Sequence, residues 1–98
     1  MDTVSTHDVN DAGWVTGGTT TGTGLAIRWQ NGPLPANGAT IEDVIHAAIG
    51  RLHAFQDNKN SNNDFNAEAI EHLEDALRTL DKRTKDRRER GVEGKYER

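Results

Sequence analysis

The chain has 98 residues, of which 33% are apolar and none is cysteine, and its formal net charge is −4. This length corresponds to one small domain with a thin hydrophobic core, so self-association is expected. The absence of cysteine excludes a disulfide framework, a thiolate metal site and a thiol nucleophile, and favours an intracellular protein. No signal peptide or membrane-spanning apolar run is recognisable, so the sequence predicts a cytoplasmic protein.

The charge is unevenly distributed along the chain. Residues 1–39 carry −2, residues 40–81 carry −6 and residues 82–98 carry +4. A protein that coats duplex nucleic acid usually spreads positive charge over a whole face. Because the positive charge is confined to one short end, the pattern favours a small anionic ligand over a long polyanion.

Residues 1–24 are predicted to be a flexible N-terminal segment. The first thirteen residues are polar and mixed, and residues 16–24 consist only of threonine and glycine. A phosphate-binding loop needs a Lys-Ser/Thr pair after its glycines, and that pair is missing. The run is therefore interpreted as a flexible connector or a hairpin turn.

Residues 25–98 are predicted to form one ligand-binding domain that begins with a strand. Apolar and polar residues alternate over residues 25–30, and turn-forming residues follow. Pairing of Trp14 and Val15 with this strand would give a small β-hairpin. Such a hairpin must pack on other elements, because two strands alone are only marginally stable.

The first helix is predicted over residues 40–56 and opens at Thr40, with Asp43 as its capping-box partner. Its apolar seam has helical spacing and comprises Ile41, Ile45, Ala48, Leu52 and Phe55. Small residues around Gly50 form a second uncharged face. A mid-helix glycine costs about 1 kcal/mol relative to alanine, so we expect a neighbouring protomer to approach closely there.

The second helix is predicted over residues 64–90, after an asparagine-rich connector, with its cap between Asp64 and Asn66. Its apolar stripe comprises Ile70, Leu73, Leu77 and Leu80. The sequence thus predicts an α+β fold: a long antiparallel two-helix hairpin with a small N-terminal β-hairpin, assembling as a dimer or higher oligomer.

The basic end of this helix contains the candidate binding residues. Arg83 and Arg87 are four residues apart on one helix face, with Thr84 beside them, so their guanidinium groups can grip neighbouring phosphates. The alternative is a solvated basic end that only complements the helix dipole. No Ser-His-Asp set, HExxH pattern or spaced carboxylate pair is recognisable, so neither an enzyme nor a cofactor or metal site is predicted.

Phe55 and Asn66 flank the connector. Unless they contact a ligand, Phe55 is expected to be a core residue and Asn66 a helix cap. In a simple hairpin they lie at the opposite end from Arg83 and Arg87. A site that uses all four residues therefore needs a second chain laid antiparallel.

A series of short motifs between residues 25 and 94 closely resembles the first type of phage Thoeris anti-defence proteins. The motifs are Ile27-Arg28-Trp29-Gln30-Asn31-Gly32-Pro33, Asn37-Gly38, Ile41-Glu42-Asp43-Val44-Ile45, Gly50-Arg51-Leu52 with Phe55-Gln56, Asn66 with Ala69-Ile70, Leu80-x-x-Arg83-Thr84-x-x-Arg87, and Arg90-Gly91-Val92-Glu93-Gly94. The resemblance implies a non-catalytic sponge that binds the cyclic ADP-ribose signal of a bacterial TIR-domain enzyme.

The resemblance also implies the ligand contacts. An aromatic residue, an asparagine and two arginines would form a pocket at a dimer edge, which carries over to Phe55, Asn66, Arg83 and Arg87. Thr84 and Arg28 complete the expected ligand-binding set. Some relatives form hexamers and also bind cyclic oligonucleotides of CBASS defence at separate sites, so a cyclic di- or trinucleotide sponge is the alternative. Two alternatives belong to other functional classes: a small nucleic-acid-binding phage protein and a purely structural helical adaptor.

Overall fold

The computed structural model describes residues 2–32 and 36–89. Three strands come first, β1 (Val4–Val9), β2 (Val15–Gly22) and β3 (Leu25–Arg28), followed by two helices, α1 (Ile41–Gln56) and α2 (Asp64–Glu89). The α+β class and the two helices are thus confirmed. The chain divides into two compact units, a sheet unit within residues 1–40 and a helical unit, residues 41–89.

The sheet unit differs from the predicted β-hairpin, because it is a three-stranded antiparallel sheet in the order β1-β2-β3. The threonine and glycine run is not a flexible connector, since most of it forms β2. Thr19 pairs with Thr6 on one side and with Arg28 on the other. Val15 pairs with Val9 of β1, and not with the strand that follows.

Threonine suits β2 because its branched side chain packs well on a pleated surface and its hydroxyl can bond across strands. The buried Thr20 hydroxyl accepts a hydrogen bond from Trp29 Nε1 at 2.8 Å and lies 2.8 Å from Ser5 Oγ. Gly18 has φ +133°, and a Cβ there would lie 2.0 Å from the carbonyl oxygen of Thr6. Only glycine fits so close to β1.

In the helical unit, α1 and α2 pack against each other through a half-buried stripe. On α2 this stripe follows alternating steps of four and three residues and comprises Asn66, Ile70, Leu73, Leu77, Leu80, Thr84 and Arg87. Ile70, at 7% exposure, is the one buried apolar side chain among residues 2–32 and 36–89. The apolar middle of the stripe therefore ends in polar residues on both sides.

The seam of α1 is rotated relative to the predicted one. Its half-buried stripe comprises Ile45, Ile49, Leu52 and Gln56. Ile41, Ala48 and Phe55 are exposed instead, Ile41 at 50%. Each residue turns a helix by about 100°, so a shift of one position moves Phe55 out of the helix contact and Gln56 into it.

Gly50 is exposed, and apart from the neighbouring backbone of α1 none of the described residues lies within 4 Å of the position that a Cβ would take there. The close approach predicted at this glycine is therefore not made within the chain, and an approach by another protomer stays a prediction. In the described part of the chain, neither helix combines the length and apolar character that crossing a membrane requires.

Candidate ligand-binding site

The connector between the helices, residues 57–63, is tightly hydrogen bonded. The carbonyl of Phe55 accepts hydrogen bonds from Asn58 N at 3.2 Å and from Ser61 Oγ at 2.9 Å. Asn63 Oδ1 accepts the backbone N–H of Asn66 at 2.8 Å, as an N-cap side chain does three residues into a helix. The cap of α2 is thus Asn63, one residue before the range that the sequence predicted.

Asn66, which the sequence proposed as a ligand contact or a cap, is half-buried in the first turn of α2. Its Nδ2 donates to Gln56 Oε1 at 3.1 Å and to the carbonyl of Ser61 at 2.9 Å. Because Asn63 performs the capping, the side chain of Asn66 does not serve as the cap. The sequence analysis did not identify Gln56 as a candidate site residue. Its position at the end of the first predicted helix could have indicated that it lies beside Asn66.

Phe55 lies at the same end of the hairpin and remains 40% exposed. The guanidinium carbon of Arg51, one turn earlier on α1, lies 5.2 Å from the centre of the Phe55 ring. This is a cation–π contact. It supports one face of the ring, so that the remaining exposed surface can stack on a planar ligand. Spacing of four residues on a helix was the available sequence signal for this pair.

The basic end of α2 holds Arg83, Thr84 and Arg87. Arg83 is exposed, and it has no ion-pair or hydrogen-bond partner among the described residues. Thr84 is half-buried, and its hydroxyl donates to the carbonyl of Leu80 at 3.4 Å. Arg87 is half-buried and already engaged. Cations in the last turns also complement the helix dipole.

The structure does not bring these two groups together within one chain. Asn66 and Arg83 are 17 positions apart on one helix, which corresponds to a separation of about 26 Å along the axis. The connector end and the basic end are therefore two separate groups of candidate binding residues. Each supplies a different chemistry: a carboxamide with an aromatic ring at one end, and two guanidinium groups at the other.

Arg28, the remaining predicted site residue, belongs to the sheet unit. It lines an open cavity of about 380 Å³. The other lining residues are Thr6, Asp8, Gly17, Gly18, Thr19, Trp29, Asn31 and Asn37. Thr6, Thr19 and Arg28 are register partners across the three strands, so they share one sheet face.

The loop that borders this cavity is held by side-chain amides. Gln30 Oε1 accepts the backbone N–H groups of Asn37 and Gly38 at 2.9 and 3.0 Å. Asn37 pairs with both backbone groups of Asn31, accepting from its N–H at 2.8 Å and donating to its carbonyl at 3.0 Å. Asn31, the first residue of the Asn31-Gly32-Pro33 motif, therefore belongs to a hydrogen-bonded wall of the cavity. Residues 33–35 lie outside the described residues.

Comparison with known proteins now places this hairpin in a family. The sequence profile described as Acb2/Tad1, hairpin domain, matches residues 22–85. The chain belongs to the Acb2/Tad1 hairpin-domain family. The predicted resemblance is confirmed at this level.

A relative in this family is the protein named Thoeris anti-defense 1 of Bacillus phage SBSphiJ7. It is 47% identical over 74 residues, which cover 72% of this chain and 51% of the relative. The chain therefore spans about half the length of the relative it matches. The Acb2/Tad1 match includes α1, the connector, α2 as far as Lys85, and all of β3.

Proposed function

We propose that this chain is a phage anti-defence sponge, which sequesters a cyclic ADP-ribose isomer made by a TIR-domain enzyme of the Thoeris system. It would act in the host bacterial cytoplasm and release the ligand unchanged. One observation carries the proposal beyond family membership. The single helix α2 carries Asn66 and Arg87 at opposite ends of one stripe, with the exposed Arg83 one turn before Arg87, and the two ends suit different parts of such a ligand.

The chemistry of the two ends matches that of the proposed ligand. Arg83 and Arg87 would bind the diphosphate through charge-assisted hydrogen bonds, with the hydroxyl of Thr84 beside them. Phe55 would stack on the adenine, and Asn66 would bind a ribose hydroxyl or the adenine amino group. These groups supply binding alone, which is all that a sponge requires.

The separation of the two groups implies that two copies build each pocket. About 26 Å of helix between Asn66 and Arg83 is too long for one mononucleotide-sized ligand to bridge. A second copy laid antiparallel would place its basic end beside this connector. We therefore propose a homodimer, or a hexamer assembled from such dimers, as the binding form.

Charge and exposed apolar surface support an antiparallel partner. Within α2, residues 64–75 contain five acidic and no basic residues, whereas residues 76–89 contain six basic and three acidic ones. Two copies laid antiparallel would place the acidic half of each α2 helix beside the basic half of the other. Ile41 and Phe55 on α1 are also exposed, as is Phe65 at 81%, and the small residues Ala47 and Ala54 of α1 are exposed as well. A chain this small with one buried apolar side chain in its described part gains stability by covering such surface.

Isothermal titration calorimetry against a panel of cyclic ADP-ribose isomers and cyclic oligonucleotides tests the proposal. We expect heat from at least one cyclic ADP-ribose isomer and recovery of that compound intact after denaturation of the protein. Recovery of a cleaved product would contradict a sponge. No heat from any compound would favour the structural-adaptor reading, and steeply salt-dependent binding to generic DNA would favour a nucleic-acid-binding protein.

Subunit mixing tests whether the pocket is shared. One variant carries Phe55→Ala and Asn66→Ala, and the other carries Arg83→Ala and Arg87→Ala. Neither should bind alone, but unfolding and refolding the two together should restore binding, because each mixed dimer contains one intact site. Refolding each variant separately is the control. Absence of recovery in a mixture that forms mixed dimers would contradict the shared site.

Cyclic di- or trinucleotides of CBASS defence are a second candidate ligand class, favoured by the cavity at Arg28. This cavity offers a guanidinium, two threonine hydroxyls, an indole and two asparagine amides, next to the carboxylate of Asp8, on a separate unit from α2. If both classes bind, Arg28→Ala should weaken cyclic oligonucleotide binding and leave cyclic ADP-ribose binding unchanged. Arg83→Ala should have the opposite effect.

A further inference from the structure

We infer that Gln56 is a positioning residue, which turns the carboxamide of Asn66 so that its oxygen is presented to the ligand. The site then recognises a hydroxyl or amino group of the ligand through the hydrogen that this group donates. The inference rests on the proposed function, because it assigns a recognition rule to one end of the proposed pocket.

The orientation of Asn66 follows from its two neighbours. A carboxamide nitrogen has two hydrogens, and Asn66 Nδ2 donates one to Gln56 Oε1 at 3.1 Å and one to the carbonyl of Ser61 at 2.9 Å. Both donors are therefore used inside the protein. Asn66 Oδ1 receives no hydrogen bond from the described residues, so it is the group left for a ligand.

The opposite orientation is excluded by the groups around it. Gln56 Oε1 also accepts the backbone N–H of Asn63 at 2.9 Å. A backbone N–H can only donate, so Gln56 must present its oxygen at this point. The carbonyl of Ser61 can only accept. A reversed Asn66 would place its own oxygen against these two acceptors, and each would lose the hydrogen bond that Asn66 donates to it.

This arrangement is held by both helices. Gln56 is half-buried in the last turn of α1, where its stripe meets the start of α2. The carbonyl of Ser61 is positioned by its neighbouring hydroxyl, because Ser61 Oγ donates to the carbonyl of Phe55 at 2.9 Å. The carboxamide is thus pre-organised before a ligand arrives, which lowers the cost of ordering it on binding.

The acceptor oxygen of Asn66 determines which groups of a ligand the connector end can bind. Phosphate oxygens are acceptors, so Asn66 Oδ1 would repel them, and the phosphates are directed to the arginines. A hydroxyl or amino group can donate a hydrogen bond to this oxygen and is therefore bound. A site built around such a hydrogen bond rejects an analogue that lacks the donor, and for a single neutral hydrogen bond we expect about a tenfold difference in affinity.

Two substitutions at Gln56 test the inference. Gln56→Met keeps the size of the side chain but removes its acceptor, whereas Gln56→Glu keeps the acceptor and is the matched control. Nuclear magnetic resonance of the Asn66 side-chain amide gives a readout without ligand. We expect Gln56→Met to shift this signal and to speed exchange of one of its two protons, while Gln56→Glu keeps both protons protected.

Titration with the panel of cyclic ADP-ribose isomers and with their deoxyribose analogues gives the second readout. Wild type and Gln56→Glu should prefer the fully hydroxylated compound to at least one analogue by about tenfold, and Gln56→Met should lose this preference. Circular dichroism monitors folding of all three proteins.

The possible failures are distinguishable. An unchanged Asn66 amide signal in folded Gln56→Met overturns the positioning role, whether or not a ligand binds. Binding by wild type without preference for any hydroxyl or amino donor overturns the recognition rule. If wild type binds neither type of compound but the amide signal moves as expected, the positioning role stands and the proposed function fails.

Discussion

The two ends of α2 hold their polar side chains in different ways. At the connector end, Asn66 is fixed by Gln56 and Ser61, and Phe55 is supported by Arg51. At the basic end, Arg83 projects from an exposed helix face with no partner among the described residues. If the proposed function holds, this difference predicts that the fixed carboxamide and ring select the ligand, whereas the guanidinium groups provide most of the affinity.

The largest expected effect is at the basic end. Replacing both Arg83 and Arg87 with alanine should weaken binding of the cyclic ADP-ribose isomer by a hundredfold or more, because each charge-assisted hydrogen bond contributes about 1.5–3 kcal/mol. Calorimetry measures the loss. Lys82→Ala, on the same exposed turn, is the matched control and should have a much smaller effect. Equal losses in both variants would indicate nonspecific charge attraction.

The proposed dimer, which brings the connector end of one copy to the basic end of the other, can be tested by a substitution at Gly50. Gly50→Leu should disrupt the dimer and with it most ligand binding, because the added side chain enters the proposed interface. Among residues 2–32 and 36–89, no side chain and no distant backbone atom occupies the space beside this position. Sedimentation velocity follows the assembly, and circular dichroism follows the helices. Gly50→Ala is the control and should leave the dimer intact. A Gly50→Leu protein that remains dimeric and binds normally would place the interface elsewhere.

A smaller effect is expected on the stability of the connector end. Asn63→Ala removes the N-cap of α2 and should lower the free energy of unfolding by about 1 kcal/mol. Asn63→Asp retains a capping oxygen and should lose much less. Urea denaturation measures both. Arg83→Ala should leave this free energy nearly unchanged, and a comparable loss there would contradict the contrast between the hydrogen-bonded Asn63 and the exposed Arg83.

The smallest effect is expected at Arg51. An exposed cation–π contact contributes about 0.5–1 kcal/mol, so Arg51→Ala should weaken ligand binding two- to fivefold by loosening Phe55. Arg51→Lys retains the charge and should lose less. A loss as large as that of the Arg83 and Arg87 variant would show that Arg51 contacts the ligand phosphates directly.

Much of the helical unit could be predicted from residue patterns. The α2 stripe of Ile70, Leu73, Leu77 and Leu80 has helical spacing, and a polar connector marks the turn between two helices. These signals are local, since they depend on neighbouring residues of one segment. The separation of Asn66 from the two arginines followed from the same spacing, and so did the prediction that a site with all of them needs a second copy.

The sheet unit could not be predicted in this way. Glycine is unfavourable in strands and threonine alone is ambiguous, so residues 16–24 resembled a linker. What makes β2 a strand is pairing on both sides, with β1 and β3, and the hydrogen bonds that Thr20 makes with Ser5 and Trp29. Such partners are distant in sequence and leave no periodic signal within the segment.

The sequence by itself determined the two helices, the charge difference along α2 and the family, because each depends on the order of residues in a continuous stretch. Only the tertiary structure decided that Gln56 and not Phe55 enters the helix contact, that Asn63 is the cap, and that Asn66 presents an oxygen. These outcomes depend on how one helix is rotated against the other. A rotation smaller than the angle of about 100° that one residue turns keeps Ile45 and Leu52 in the contact but replaces Phe55 with Gln56.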